Sequence, residues 1–500
     1  MTSPSLPFGS AILAIYYTLL AILALYGLHR LYLVLLYFRY RHRQPETPAA
    51  PEDWPMVTVQ LPLYNEMYVA QRLIDAVCRL DYPRERLEIQ VLDDSTDETR
   101  ELVAASVEDY RRRGFRIHHL HRQDRSGYKA GALAAGLEQA QGELVAVFDA
   151  DFIPPSDFLA TAIPHFQRPE IGMVQACWVH LNRRYSLLTR IQAILLDGHF
   201  LIEHSARFLS GCFFNFNGTA GVWRRQAIED AGGWQNDTLT EDLDLSYRSQ
   251  LAGWKFLYLP ELGAPSELPV DIHGFKAQQH RWAKGSIQTG RKLLPRLLRA
   301  KLPAKIRVEA WVHLTNNSSY PLMLALSLLV FPAMFLRQDH LPEILFWVDA
   351  PLFVAATGSV LLFYVSSQWA RGGAWWRELA YLPALMGLGI GLSVNNARAV
   401  LGGLVHRGGV FQRTPKYNIV TKGQRWHAKK YRASRNASFV LEGLLAAYLA
   451  VCLVLAVRFE MWLSIPFLYL FFHGYAYVFV LSLLPGRRNP SLHLEAADAR

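Results

Sequence analysis

The chain of 500 residues is too long for one ordinary domain, and 51% of its residues are hydrophobic and 12% aromatic. This composition indicates a membrane protein that carries a globular polar block. The net charge of +10 does not predict a nucleic-acid partner, because the basic residues cluster beside apolar runs in RYRHR, RKLLPRLLRAKLPAKIR and RWHAKKYRASR. Anionic lipid headgroups explain that placement more simply.

Five apolar runs approach the roughly 20 residues that a helix needs to cross a bilayer. They cover residues 11–38, 311–335, 344–365, 439–457 and 462–484. The first run is longer than the apolar core of a signal peptide and ends in FRYRHR, which predicts an uncleaved anchor whose C-terminal end faces the cytoplasm. The polar block that follows is therefore expected in the cytoplasm, as in a multi-pass protein of a bacterial inner membrane.

Strands alternate with helices in the polar block. MVTVQLPLYN, LEIQVLDDS, FRIHHLH and LVAVFDAD read as strands, and residues 66–80 and the run KAGALAAGLEQA read as helices. This alternation predicts a mainly parallel α/β sheet. Ligands of such sheets bind beyond the C-terminal ends of the strands, so those ends are where a site is expected.

Polar residues follow three of these strands. Asn65 ends the first, Asp93 and Asp94 end the second, and Asp149 and Asp151 end the fourth. Two carboxylates spaced in this way suit a hard cation such as Mg²⁺ or Mn²⁺ that also binds a diphosphate. The sequence therefore predicts a divalent-cation site at this edge of the sheet.

Lys129 opens a helix at the same edge, where its ammonium and the helix N-terminus suit a phosphate. The chain contains neither GxGxxG nor GxxxxGK[ST], so neither a dinucleotide redox site nor a P-loop is indicated. The four cysteines are scattered and lack the spacing of a zinc site.

A further helix is predicted to begin at Glu241 and Asp242, because Leu243, Tyr247 and Leu251 recur at helical spacing. The helix dipole favours an ionised carboxylate at this end. An ionised carboxylate against a sugar pocket can accept the proton of an attacking hydroxyl, and Asp242 is the candidate for this general base.

Gln278, Arg281 and Trp282 stand at i, i+3 and i+4, so on a helix they share one face. That face offers a hydrogen-bonding amide, a guanidinium suited to a phosphate and an indole plane on which a sugar ring can lie.

The motifs LPLYNE, LDDSTDET, KAGAL, DAD, TED and QQHRW occur in this order across the polar block. Together they resemble the membrane-integrated, processive family 2 glycosyltransferases, the group of cellulose, mannan, chitin and hyaluronan synthases. NDTLTEDLDLSYRSQLAGWKFLYLPE, SELP and QQHRW look most like the mannan and glucomannan synthase-like branch. The resemblance implies an α/β GT-A (Rossmann-like) domain inserted in a helical transmembrane bundle, and an inverting transfer from a nucleotide sugar.

The resemblance also implies roles for individual residues, with Asp242 as the catalytic base. The residues expected to bind the nucleotide are Asn65, Glu66, Asp93, Asp94, Lys129 and Asp149. The residues expected to bind the metal are Asp149 and Asp151. Those expected at the acceptor and the diphosphate are Asn217, Gly218 and Thr219 of FNFNGTAGVWRR, with Glu241, Gln278, Arg281 and Trp282.

Segment 379–404 is predicted to be an interfacial or re-entrant helix, because a span there would place the basic loop after it on the outer face, against the positive-inside rule. Five spans then remain. The loop contains FQRTPK, which looks like the FxVTxK gating loop of cellulose synthases with Arg413 in place of valine. The resemblance implies that Phe411, Thr414 and Lys416 close over bound nucleotide.

The expected domain organisation follows from these assignments. It comprises an anchor (1–43), a cytoplasmic GT-A domain (55–290), an amphipathic interfacial segment (291–310), a transmembrane hairpin (311–368), the interfacial helix with the gating-like loop (379–436), a second transmembrane hairpin (437–485) and a cytoplasmic tail (486–500).

The expected function is polymerisation of a β-linked polysaccharide from UDP-glucose or GDP-mannose, with extrusion through the membrane bundle. A nucleotide-sugar donor, a growing glycan, a divalent cation (Mg²⁺ or Mn²⁺) and the lipid bilayer are the implied partners. One alternative is a non-processive transferase that makes a glycosyl lipid, as ceramide glucosyltransferase-like enzymes do. Another is a transporter with a regulatory soluble domain, although such a protein should carry more charged residues within its spans.

Overall fold

The computed structural model of the protein describes residues 6–43, 45–336, 345–406, 408–434 and 437–484. The predicted cytoplasmic tail, residues 486–500, lies outside the described residues. So do residues 337–344 of the first predicted hairpin and three positions of the predicted segment 379–436, namely 407, 435 and 436.

Within the described residues, seven strands form one mixed sheet. They are β1 (Val57–Leu63), β2 (Leu87–Asp93), β3 (Ile117–His121), β4 (Leu144–Val147), β5 (Ile171–His180), β6 (Gly221–Arg224) and β7 (Lys255–Ser266). Their order is β3-β2-β1-β4-β6-β5-β7. The first four in this order are parallel, as the alternation of strands and helices predicts, and β6 runs antiparallel to both of its neighbours.

Ten helices of the described residues precede or belong to this sheet domain. They are α1 (Leu6–Tyr40), α2 (Ala70–Val77), α3 (Thr99–Arg112), α4 (Tyr128–Gln139), α5 (Phe158–Ala162), α6 (Leu187–Asp197), α7 (Ser205–Leu209), α8 (Arg225–Asp230), α9 (Glu241–Leu251) and α10 (Ile272–Arg299). The helix predicted over residues 66–80 is shorter than expected. It begins later because residues 66–69 form a turn, in which the Glu66 carbonyl accepts the amides of Val69 and Ala70, each at 3.0 Å.

Apolar side chains cover both faces of the sheet, which is why β1 and β2 are buried along almost their whole length. Polar side chains within these strands hydrogen-bond to one another across the ladder. Thr58 Oγ1 donates to Glu88 Oε2 at 2.6 Å, and Gln60 Nε2 donates to Gln90 Oε1 at 3.0 Å. Hydrogen-bonding these buried groups avoids the cost of an unpaired polar atom and holds the strand ends in register.

The second half of the described chain is helical. It contains α11 (Ala304–Thr315), α12 (Ser319–Phe335), α13 (Ala350–Phe353), α14 (Ser359–Arg371), α15 (Leu382–Gly391), α16 (Ser393–Val405), α17 (Ser438–Arg458) and α18 (Ile465–Leu483). By length and composition, five segments of the described residues could cross a membrane: Gly9–Tyr40, Ala304–Phe335, Trp347–Arg371, Ser438–Arg458 and Trp462–Leu483. These correspond to the five predicted runs.

The predicted interfacial segment forms a bent pair, Trp375–Gly391 and Ser393–Val405, with 43° between its halves. Counted as one span it would give a sixth crossing. Both of its ends, however, contact the sheet domain. Glu378 pairs with Arg190 of α6 at 2.9 Å, and the His406 carbonyl accepts from Gln288 of α10 at 3.0 Å. Contacts at both ends favour entry and exit on one side of the bilayer.

We predict that this segment does not cross the bilayer. In a background without the four native cysteines, all of which are buried, Gln412→Cys should react with an impermeant maleimide only from the side that labels Gln123→Cys in the sheet domain. Glu460→Cys, between α17 and α18, is the control and should be labelled from the opposite side. Labelling of Gln412→Cys together with Glu460→Cys would refute the five-span arrangement.

Candidate active site

A cavity of about 170 Å³ lies where the C-terminal ends of β1, β2 and β4 meet α9 and α10. We call it the strand-edge cavity. Most of the residues predicted for a nucleotide-sugar site line it. They are Glu66, Asp94, Lys129, Asp149, Asp151, Asn217, Gly218, Glu241, Asp242, Gln278, Arg281, Trp282, Phe411, Thr414 and Lys416.

The two acids after β4 are each paired with a lysine. Asp149 Oδ1 accepts from Lys129 Nζ at 2.5 Å, and Asp151 Oδ2 accepts from Lys416 Nζ at 2.6 Å. Lys129 also donates to the Gly218 carbonyl at 2.9 Å. The two carboxylates thus face one cavity in which positive charge already balances them. This oxygen donor set fits a hard divalent cation.

Asp242 lies in the first turn of α9, as predicted, and its Oδ1 accepts the amide of Leu243 at 2.8 Å. The backbone of Gly218 approaches so closely that a Cβ there would stand 3.0 Å from Asp242 Oδ2, and its φ of +82° also favours glycine. The expectation of a fully ionised carboxylate needs correction. Burial, reinforced by the neighbouring Glu241, raises the pKa of Asp242 to about 7.

This shift predicts the direction of the pH dependence of transfer. A general base works only when deprotonated, so kcat/KM should rise as the pH increases through about 7 and level off above it. Burial also raises the pKa of Glu66 to about 7. Glu66→Gln is therefore the control variant, and its kcat/KM should still rise through about pH 7 because the base is Asp242. A pH profile that is flat between about pH 5 and 8 would contradict the assignment of Asp242 as the base.

The face of α10 that carries Gln278, Arg281 and Trp282 is turned to the same cavity, as its helical spacing predicts. Arg281 holds the loop after α16 in place: its Nη1 donates to the Gln412 carbonyl at 2.9 Å, and its guanidinium lies 4.5 Å from the centre of the Phe411 ring. Arg281 therefore links the helix face to the gating-like loop.

That loop, residues 408–434, covers the cavity. The Arg413 guanidinium contacts both carboxylate oxygens of Glu66, at 2.9 and 3.1 Å, and the Tyr417 amide donates to Glu267 at 2.9 Å. Ligand pockets usually have volumes of about 300–1,000 Å³, so the covered cavity is small for a nucleotide sugar.

Three residues predicted to bind ligand do not line the cavity, because their side chains are used within the protein. Asn65 Oδ1 accepts the Thr96 amide at 2.9 Å, joining the turns after β1 and β2. Thr219 Oγ1 accepts the Asp149 amide at 2.8 Å. Asp93 is fully buried and turned towards β3. The first two position the loops that carry the cavity residues.

Other residues at the site were not predicted from the sequence. The Arg122 guanidinium contacts both oxygens of Asp94, at 2.8 and 2.6 Å, and Trp178, Arg125 and Glu267 line the cavity. Arg122 and Arg125 lie between β3 and the KAGAL motif. Two arginines just after a strand end are the sequence feature that could have identified them as site residues. Trp178 is the third residue from the C-terminal end of β5, and nothing in its surrounding sequence distinguishes it.

A second chamber of about 280 Å³ shares Trp178, Asn217, Asp242, Gln278 and Trp282 with the strand-edge cavity. We call it the inner chamber. It lies towards the membrane helices, and its wall is rich in amides, imidazoles and aromatic rings. Asp242 thus stands between two cavities, one beside the paired acids and one beside the membrane bundle.

A π-helical turn, Gly198–His204, brings His199 and Glu203 into the wall of the inner chamber. Such turns often occur at functional sites. His199 Nδ1 lies 3.1 Å from Glu203 Oε2, and its Nε2 lies 2.9 Å from Asn217 Oδ1. The pair with His199 and the charge of Arg207 hold the pKa of Glu203 well below its usual range despite burial. Glu203 therefore remains a carboxylate and fixes the orientation of Asn217 through His199.

A third cavity of about 240 Å³ continues between the membrane helices. It shares Arg30, Tyr320, Tyr364 and Gly389 with the inner chamber. Beyond these, its wall is formed mainly by leucine, methionine, phenylalanine, valine and isoleucine side chains of α1, α12, α15 and α18.

Residues 55–285 match the family model described as "Glycosyltransferase like family 2". This segment is a family 2 glycosyltransferase domain. Among curated relatives, "Probable glucomannan 4-beta-mannosyltransferase 10" of Arabidopsis thaliana is 43% identical over 282 residues, which is 55% of this chain and 50% of that protein. "Probable glucomannan 4-beta-mannosyltransferase 6" of Oryza sativa subsp. japonica is 42% identical over 276 residues, or 54% of this chain and 47% of that protein. The chain thus spans about half the length of these curated relatives.

One solved structure, "Mannosyltransferase PcManGT from Pyrobaculum calidifontis in complex with GDP-Man and Mn2+", superposes with a TM-score of 0.50 at 21% sequence identity, covering 79% of this chain and 99% of that one. This similarity, together with the mixed sheet, confirms the predicted GT-A fold. The curated relatives above are plant proteins, so they lend no support to the expected bacterial inner membrane.

Proposed function

We propose that the protein is an inverting β-glycosyltransferase that builds a β-linked polysaccharide from a nucleotide-activated hexose, with GDP-mannose as the first candidate donor. One observation carries the proposal. Asp242 stands in the wall shared by the strand-edge cavity, which contains the paired acids, and the inner chamber. The names of the plant relatives and the GDP-Man in the archaeal complex support a mannosyl donor.

In the proposed reaction the donor diphosphate occupies the strand-edge cavity, and the terminal sugar of the acceptor occupies the inner chamber. Asp242 removes the proton of the acceptor hydroxyl, and the oxygen attacks the anomeric carbon from the face opposite the diphosphate. The bond between that carbon and the diphosphate oxygen breaks, and the nucleoside diphosphate leaves. A single displacement inverts an α-linked donor to a β-linked product.

The cationic side chains around the paired acids balance the diphosphate. Lys129, Arg281, Arg413 and Lys416 all line the strand-edge cavity, and the last two belong to the loop that covers it. A divalent cation bound by Asp149 and Asp151 would neutralise the charge that develops on the leaving diphosphate. Because Arg413 is held by Glu66 and Lys416 by Asp151, donor entry would exchange these internal pairs for contacts with phosphate.

The inner chamber and the third cavity offer an acceptor path towards the membrane. Amides such as Asn217 and Gln278 can hydrogen-bond hydroxyl groups, and the Trp178 and Trp282 rings offer planes for sugar stacking. A glycan that grows at Asp242 would leave between α1, α12 and α18, on the side of the bilayer away from the sheet domain. We place the sheet domain in the cytoplasm on the charge of FRYRHR.

The test is to incubate the purified protein with labelled GDP-mannose, GDP-glucose, UDP-glucose and UDP-N-acetylglucosamine in the presence of Mn²⁺ or Mg²⁺. The expected product is a labelled polymer from GDP-mannose that a β-1,4-mannanase degrades. A chelator tests whether transfer depends on a metal ion. Glu66→Gln tests whether it depends on the contact between Glu66 and Arg413 of the loop. Absence of transfer from every donor would contradict the proposal.

A second candidate is transfer to a lipid acceptor. The apolar wall of the third cavity favours it, because aliphatic side chains fit an acyl or prenyl chain better than a hydrated glycan. The same labelled donors distinguish the two candidates by product. A single sugar that partitions into organic solvent would indicate a glycosyl lipid, whereas a water-soluble, mannanase-sensitive product indicates the polymer.

A further inference from the structure

Asp93, the buried acid that does not line the strand-edge cavity, faces two histidines on the neighbouring strand. β3 is the edge strand of the sheet, and in its parallel pairing with β2 the position opposite Asp93 is His121. His119 stands two residues earlier, and residues at i and i+2 of a strand project from the same face. The fold therefore brings one carboxylate and two imidazoles together on one face of the sheet edge.

The ligand atoms of this cluster are close to metal-binding distances. His119 Nε2 lies 2.8 Å and His121 Nδ1 3.8 Å from the same oxygen, Asp93 Oδ2. All three ligand atoms lie within 4.8 Å of one another. Ligands bonded at about 2.0–2.1 Å to a tetrahedral Zn²⁺ stand about 3.3 Å apart, and each of the two carboxylate–imidazole distances is within about 0.5 Å of that spacing.

Two further observations point to a ligand at this position. His121 Nδ1 is buried and has no hydrogen-bond partner among the described residues. Asp93 is fully buried, whereas the side chains of His119 and His121 remain 16% and 19% exposed, so the cluster is open to solvent on the imidazole side. The second oxygen of Asp93 accepts the Ser95 amide at 2.9 Å, which fixes the carboxylate as outer-shell hydrogen bonds do for metal ligands.

The chemistry of the cluster differs from that of the paired acids in the strand-edge cavity. Asp149 and Asp151 offer only oxygens and are balanced by lysines. Among the described residues, the ion pairs of Asp93 are those with the two histidines, and the nearby Arg122 is held by Asp94. Two imidazoles and one carboxylate favour Zn²⁺ or a related transition-metal ion over Mg²⁺.

We propose that Asp93, His119 and His121 bind a Zn²⁺-class ion, with water at the remaining coordination position. The ion would tie the end of β2 to the edge strand β3. Asp94, the next residue, lines the strand-edge cavity and is held by Arg122, which follows β3 directly. A metal at this point would therefore stabilise the arrangement of Asp94 and Arg122. It would lie outside the strand-edge cavity and would not contact the sugar donor.

The test measures Co²⁺ binding to the chelator-treated, full-length protein in detergent, after removal of any histidine tag. Tetrahedral Co²⁺ gives visible absorption bands, and Zn²⁺ should abolish them by displacement. One equivalent of tetrahedral Co²⁺ is expected for the wild-type protein and for the double variant Asp149→Asn with Asp151→Asn. His119→Ala and His121→Ala should each weaken binding by more than about 100-fold, since loss of a ligand should exceed the loss of an outer-shell partner.

His118→Ala is the matched control. It removes a histidine of the same strand that projects from the opposite face and is 46% exposed, so it should bind Co²⁺ as the wild type does. Zn²⁺ should also raise the Tm of the wild type and of His118→Ala, but not that of His121→Ala. The proposal is overturned if the wild type shows no tetrahedral Co²⁺ spectrum, if either ligand variant binds as the wild type does, or if the double variant Asp149→Asn with Asp151→Asn keeps a cooperative thermal unfolding transition but loses the spectrum.

Discussion

Asp242→Asn is expected to lower the turnover number by about 10³-fold while leaving donor affinity within a few-fold of that of the wild type. The amide keeps the size of the side chain and can still accept the Leu243 amide through its oxygen. It cannot accept a proton from the acceptor hydroxyl. The donor diphosphate is expected to contact Lys129, Arg281 and the cation held by the paired acids, so binding should survive. Single-turnover rates and donor titration by calorimetry measure the two quantities separately.

The control for this variant is Asp230→Asn, which changes an exposed carboxylate at the end of α8. It should keep both turnover and donor affinity. A loss of donor affinity as large as the loss of turnover in Asp242→Asn would make Asp242 a nucleotide-binding residue. Because burial and the neighbouring Glu241 raise the pKa of Asp242 to about 7, Asp242→Asn should also remove the pH dependence near 7 from any residual activity.

The elements that could be predicted from the sequence are those whose structure is determined by the local pattern of residues alone. Helical spacing alone put Gln278, Arg281 and Trp282 on one face, and the periodicity after Thr240 gave the first residue of α9. Strand-end acids followed from the alternation of strands and helices. The five apolar segments followed from length and composition, as the structure confirms.

What the sequence could not provide was the direction in which strand-end side chains point. Asp93 and Asp94 are adjacent, yet successive residues of a strand face opposite sides, so one pairs with His119 and the other lines the cavity. The raised pKa of Asp242 could not be predicted for a related reason. The helix dipole contributes about 0.3–1 kcal/mol at exposed sites, whereas burial and the neighbouring Glu241 depend on contacts that only the folded chain creates.

The gating-like loop shows how distant parts of the chain determine the site. Lys416 and Arg413 pair with Asp151 and Glu66, which precede them by 265 and 347 positions. The resemblance to a known motif suggested a loop that closes over the site, and in the structure the loop lies over the cavity. The internal pairs explain this position, since each buried cation has a carboxylate partner.

Asp151→Asn is expected to abolish transfer, because a neutral amide is a poor ligand for a hard cation that also faces a diphosphate. The substitution also leaves the buried Lys416 ammonium without its carboxylate partner, so loss of stability is a competing explanation. The double variant Asp151→Asn with Lys416→Met removes both members of the pair and should recover most of the lost Tm but none of the activity. Asp157→Asn, an exposed acid six positions away, is the matched control and should keep full activity. Full activity of Asp151→Asn, or of the wild type in excess chelator, would remove the divalent cation from the mechanism.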